Sequence, residues 1–100
     1  MGDFTGKVVI VTGGAKGIGC GISLAFAGAG ATVISADVDV EAGGEIIETA
    51  AGLEGELIFK ECDVSKGPNC KALVEAAVEK GGVHVLCNNV GIQPTSSYLP

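Results

Sequence analysis

The chain has 100 residues, about the length of one small domain, which argues against a two-domain enzyme. Apolar residues at 47% against 18% charged exclude a disordered chain, and 17 glycines without a Gly-x-x period point to tight turns rather than collagen. Twelve carboxylates face six lysines with no arginine, a formal net charge of −6; nucleic acid and acidic membrane surfaces, both gripped through Lys and Arg, are therefore not expected as partners. The first predicted element is a strand over 7–12, β-branched from Val8 to Thr12 and without a polar face, as in a strand buried on both sides of a parallel sheet. A helix follows, with Ile18, Ile22, Ala25, Phe26 and Ala29 on one face and Gly30 at its C-terminal end.

The pattern then repeats. Thr32 to Ala36 reads as a second strand ending at Asp37, and Asp39 reads as the N-cap of a second helix with Glu41 in its first turn. Ile46, Ile47 and Ala50 supply that helix's buried face. Leu57 to Cys62 is the third strand, and Lys60 and Glu61 put it nearer the sheet edge. Pro68 suits the first turn of a third helix, whose stripe is Leu73, Val74, Ala77 and Val78. Val83 to Cys87 is the fourth strand, and residues 91–100 read as a loop. Strand starts near 7, 32, 57 and 83 give a β-α-β-α-β-α-β order with a spacing of about 25 residues, which makes parallel crossover units. The expected fold class is α/β, a doubly wound parallel sheet of the Rossmann type.

Four cysteines (Cys20, Cys62, Cys70, Cys87) without a Cys-x-x-Cys spacing, and a single histidine, make a zinc site improbable and suit reduced thiols in a cytoplasmic protein. The N-terminus has no secretory pattern, and Gly6 stands where a myristoylation site needs Ser or Thr. The apolar runs are too short to span a membrane.

Between the first strand and first helix lies Thr12-Gly13-Gly14-Ala15-Lys16-Gly17-Ile18-Gly19. In a doubly wound fold this is where backbone N–H groups at a helix N-terminus face a pyrophosphate, and glycines allow its approach. The spacing is Gly13-x-x-x-Gly17-x-Gly19, neither G-x-G-x-x-G nor a P-loop. Gly13 makes the turn, Gly17 clears the path to phosphate and Gly19 permits close helix packing. Asp37 stands at the end of the second strand, 24 residues after Gly13. A carboxylate there accepts from both hydroxyls of an adenosine ribose and repels a 2′-phosphate, so NAD is expected over NADP. Lys16 pulls the other way, since an ammonium attracts a 2′-phosphate, but no Arg stands beside Asp37 to help it.

Taken together, Thr12-Gly-x-x-x-Gly17-Ile18-Gly19, Asp37, Asp63-Val64 and Asn88-Asn89-Val90-Gly91 resemble, in order and spacing, the N-terminal half of a short-chain dehydrogenase/reductase. The resemblance implies that Gly13, Gly17, Ile18 and Gly19 hold the pyrophosphate and Asp37 the adenine ribose. It further implies that Asp63 accepts from the adenine amino group with Val64 against the ring. Asn89, Val90 and Gly91 would lie along the cofactor, with Asn88 tying the central strands together. Two positions depart from the family pattern: Val90 replaces the usual Ala, and His84 stands where Asp is frequent. His84 reads as structural, away from the strand-end face.

The family's catalytic Ser and Tyr-x-x-x-Lys do not occur in these 100 residues, so no catalytic residue is assigned and the chain alone is expected to be inactive. Residues 1–100 are read as an NAD-binding half-domain of an oxidoreductase lineage that moves hydride between nicotinamide and an alcohol or carbonyl substrate. The alternative is a truncated, non-catalytic protein that binds a dinucleotide or a partner. A methyltransferase-type domain fits the glycine spacing and the Asn-Asn-Val-Gly motif less well. A sheet of strand order 3-2-1-4 would be incomplete and leave the fourth strand as an open edge through which chains associate.

Overall fold

The computed structural model describes residues 3–63 and 67–89 of the chain. Its elements are β1 (Val8–Thr12), α1 (Gly17–Gly28), β2 (Thr32–Asp37), α2 (Val40–Ala50), β3 (Glu56–Glu61), α3 (Gly67–Glu79) and β4 (Val85–Asn88). The four strands form one parallel sheet in the order β3-β2-β1-β4. The first two crossovers step outward from β1 to β3. The third carries the chain back across the sheet to the other side of β1, so the order reverses between β1 and β4, which is where such sheets take ligands.

Strand periodicity divides the core in two. Val8 and Ile10 face α3 with Ile34, Ala36, Leu73 and Ala77, while Val9 and Val11 face α1 with Val33, Ala27 and Ala31. Each of the four aliphatic side chains from Val8 to Val11 is buried, a gross transfer gain of roughly 1.5–3 kcal/mol apiece. A third cluster, Ala15, Ala42 and Ile46 with Leu57 and Phe59 against it, fills the space under α1 and α2. Phe59 lies where a side chain on Gly43 would stand, which lets α2 settle on the β3 ring.

The apolar stripe expected for α1 is displaced by one residue, about 100° around the helix. Gly19, Ser23 and Ala27 form the buried face. Ile22 and Phe26 are only half-buried, and Ile18 is 70% exposed. The reason is distance: α1 starts directly against the β1 turn, and only small side chains fit between them. Two other helices bury less than their patterns promise. Ile46 and Ala50 are covered but Ile47 is not, and Leu73 and Ala77 are covered while Val74 and Val78 stay exposed.

β3 is an edge strand, as its charges suggested. β4 pairs with β1 alone among the described residues and begins at Val85 rather than Val83. Leu86 on β4 is 61% exposed and adjoins Val74 and Val83 around an apolar groove of about 190 Å³. His84 precedes β4 at the sheet's opposite end from the glycine turn. Its backbone N–H donates to the Val8 carbonyl at 2.9 Å, and its Nδ1 accepts from the Val8 N–H at 2.9 Å. The imidazole therefore caps the first residue of β1. No helix among the described residues is long and apolar enough to cross a membrane.

Candidate functional site

Because the strands run parallel, their C-terminal ends share one edge of the sheet. Each leads into a residue that the sequence singled out: Gly13 after β1, Asp37 closing β2, Asp63 two residues past β3, and Asn89 directly after β4. The remaining candidates Val64, Val90 and Gly91 lie outside the described residues.

The glycine turn is built by backbone conformation. Gly13 and Gly17 have φ of +62° and +56°, the left-handed region in which a side chain costs about 1–2 kcal/mol. Gly19 is required by contact instead. A Cβ there would collide with the Gly13 carbonyl oxygen and come within 2.8 Å of Asn89 Nδ2. Gly14 is equally confined, since its Cβ would meet Ser35 Oγ, and Ser23 Oγ at 2.9 Å. Ser23 Oγ donates to the Gly14 carbonyl at 3.1 Å and lies 3.4 Å from Ser35 Oγ, a buried link that pins the turn to α1 and β2. Gly14, Ser23 and Ser35 were missed by sequence reasoning; the available signal was two hydroxyls inside otherwise apolar segments.

Two side chains hold the turn from opposite sides. Asp37 Oδ2 accepts from the Ala15 N–H at 3.2 Å, and Asp37 Oδ1 accepts from the Asp39 N–H at 3.1 Å. Asn89 Nδ2 donates to the Gly13 carbonyl at 3.2 Å. Thr12 completes the clasp: its hydroxyl donates to Asn88 Oδ1 at 3.0 Å and accepts from the Asn89 N–H at 3.0 Å. Asn88 thus ties β4 to β1 through a side chain. Asp37 is half-buried and already engaged, yet a carboxylate offers about four acceptor positions, so each oxygen keeps one for a ligand hydroxyl. The Cys62 N–H donates to the Asp37 carbonyl at 3.0 Å, and Asn69 Nδ2 donates to the Asp63 carbonyl at 3.0 Å, fixing the chain around Asp63.

The N-terminus of α1 opens onto this edge. Lys16 is its N-cap residue, its side chain makes no capping bond, and no carboxylate stands in the first turn. The leading N–H groups of a helix have no intrahelical acceptors and carry a partial positive charge, which suits an anion. The Lys16 ammonium is turned aside, 3.3 Å from Asp39 Oδ2. Asp39 in turn caps α2, accepting from the Ala42 N–H at 2.9 Å. That hydrogen bond, with Lys16 second, holds the Asp39 carboxyl below its ordinary value of 3.8. Burial pushes the Cys62 thiol above its ordinary value of 9.0, with smaller effects from Cys70 and Asp63.

The arrangement can bind and orient an anion against backbone amides, with a carboxylate beside it to accept from hydroxyls. Comparisons with known proteins place the chain in a family. The model of the short chain dehydrogenase family matches residues 7–99. The 7alpha-hydroxysteroid dehydrogenase of Escherichia coli strain K12 is 36% identical over 87 residues, covering 86% of this chain and 34% of that protein. L-fucose dehydrogenase of Oryctolagus cuniculus is 41% identical over 92 residues, covering 91% and 31%. Among solved structures, a short chain dehydrogenase/reductase from Burkholderia phymatum in complex with NAD is 37% identical with a TM-score of 0.77, covering 86% of this chain and 31% of that one. The chain thus spans about a third of the length of these proteins. With a family match over nearly its whole length, and the strand order and glycine turn described above, the chain belongs to the short-chain dehydrogenase family of oxidoreductases.

Proposed function

We propose that this chain binds a nicotinamide dinucleotide, NAD in preference to NADP, as the cofactor-binding half of an oxidoreductase transferring hydride between nicotinamide and an alcohol or carbonyl substrate. The observation that carries this reading is the convergence of Asp37 and the glycine turn on one edge of the sheet, joined through the Ala15 N–H. The residues fit the cofactor: Gly17 leaves open space where a side chain would stand, and the uncapped start of α1 faces the same edge. The backbone of Gly13, Lys16, Gly17, Ile18 and Gly19 would surround the pyrophosphate, with the exposed Ile18 side chain covered by the bound molecule. Asp37 would accept from the adenosine ribose hydroxyls. Asp63 and Val64 would receive the adenine, and Asn89, Val90 and Gly91 would run beneath the ribose on the nicotinamide side. When bound, the nicotinamide supplies or accepts the hydride; the part played by these residues is binding and orientation. No residue of this stretch is assigned to catalysis, and the cytoplasm is the expected compartment.

A second reading rests on β4. Its exposed Leu86 and the neighbouring groove make it a surface through which the chain would associate with a partner or another copy. The test of the main reading is titration with NADH and NADPH, native chain against Asp37→Ala. Two charge-assisted hydrogen bonds to a ribose, each about 1.5–3 kcal/mol, predict at least a tenfold loss of NADH affinity in the variant. Tighter binding of NADPH than NADH by the native chain would overturn the stated preference.

A further inference from the structure

We infer that Asp39 is a positioning residue for cofactor choice: by holding the Lys16 ammonium in an ion pair, it withholds that cation from a 2′-phosphate, so that NAD selection rests on Asp39 as well as Asp37. The inference rests on the dinucleotide reading above and adds to it a residue and a mode of action. Lys16 sits in the glycine turn itself, with its Nζ 3.3 Å from Asp39 Oδ2. The other oxygen of Asp39 accepts from the Ala42 N–H at 2.9 Å, which fixes the carboxylate so that Oδ2 faces the ammonium. Asp39 is also tied to Asp37, since its N–H donates to Asp37 Oδ1 at 3.1 Å. The carboxylate that would accept from the ribose and the residue whose carboxylate occupies the lysine are therefore linked by a hydrogen bond.

The surroundings strengthen the effect. Lys16, Asp39, Glu41 and Glu45 line one open cleft of about 400 Å³ between the start of α1 and the start of α2. Among the described residues, Lys16 is the cation of this cleft against three carboxylates. A 2′-phosphate entering beside Asp37 would meet negative charge and a lysine already neutralised. To recruit Lys16 it would have to break the pair with Asp39. A ribose carrying a plain 2′-hydroxyl pays neither cost, so the ion pair discriminates between two ligands that are otherwise alike.

Capping and pairing by Asp39 separate experimentally, because Ser and Asn are good N-caps without a charge. The full chain, its Asp39→Ser and Asp39→Asn variants, Lys16→Ala, and the Lys16→Ala/Asp39→Ser double variant are titrated with NADH and with NADPH by nucleotide fluorescence. Releasing Lys16 should tighten NADPH by about two- to fivefold, the scale of an exposed charge pair in water. NADH affinity should change less than twofold, and Lys16→Ala should abolish the gain. Equal changes for both nucleotides would reduce Asp39 to a helix cap and overturn the inference. So would an NADPH gain that survives Lys16→Ala, or no gain in either Asp39 variant. In each of those cases firm NADH binding leaves the dinucleotide reading standing. Failure of the native chain to bind either nucleotide overturns both.

Discussion

Replacing Gly19 by Ala tests the closest approach in the site. In a helix interior Ala is favoured over Gly by about 1 kcal/mol, so propensity alone predicts stabilisation. The structure predicts the reverse. The added methyl would collide with the Gly13 carbonyl oxygen and crowd Asn89 Nδ2 at 2.8 Å. Overpacking of this kind costs about 1–3 kcal/mol, and losing the Asn89–Gly13 hydrogen bond adds about 1 kcal/mol. After the helix gain, the net is a destabilisation of about 1–3 kcal/mol. Gly21, two residues along the same helix, is the control, because a Cβ there meets nothing within 4 Å. Gly21→Ala should therefore gain about 1 kcal/mol, or about 4–8 °C in Tm for a chain of this size. Gly19→Ala should lose at least about 4 °C by the same measure. Thermal melts followed by circular dichroism read both. If the two variants shift Tm upward together, the close approach of α1 to the turn is refuted, and with it the fit of the glycine spacing to a pyrophosphate.

Three further outcomes follow from the same geometry. His84→Ala strips the Val8 N–H of its acceptor and should cost about 1 kcal/mol; His84→Asn, whose Oδ1 stands where Nδ1 does, should restore most of it in chemical denaturation. The pKa of Asp39 is lowered in the folded chain, so its contribution to stability is fully present above the ordinary carboxylate range. That contribution is lost as pH falls through the lowered value, and Asp39→Asn should flatten the acid limb of the stability profile; an unchanged limb would contradict the cap and ion pair. Leu86→Lys should reduce concentration-dependent association in size-exclusion chromatography with light scattering, and a native chain that stays monomeric would argue against β4 as a contact surface.

Much of the architecture was legible because the strands announce themselves. Val8 to Thr12 has no polar face, and the glycines after it fit only a tight turn. The Gly13–Gly19 turn and Asp37 meet as their spacing implied, and Asn89, placed there by the family resemblance, joins them. The face of α1 was not legible, since hydrophobicity points to Ile18 and Phe26 while steric closeness selects Gly19, Ser23 and Ala27. Nor does sequence show how far an apolar stripe is covered: Val74 and Val78 have the right period, yet α3 meets the sheet only through Leu73 and Ala77. The engagement of Asp37 by two backbone N–H groups, and of Lys16 by Asp39, depends on side-chain directions that spacing does not encode.

The reversal of strand order between β1 and β4 also governs when β1 gains its second neighbour. Val9 pairs with Val33 on one side but with Val85, 76 residues later in the chain, on the other. At a synthesis rate of roughly 5–20 residues per second, the second side of β1 waits about 4–15 seconds for its partner. During that interval a buried, β-branched strand has one unpaired edge as the chain emerges from the ribosome. The clasp at the strand ends is assembled in the same late step, because Asn88 and Asn89 reach Thr12 and Gly13 only when β4 docks. Pairing the second side of β1 and clasping the glycine turn are thus a single kinetic event.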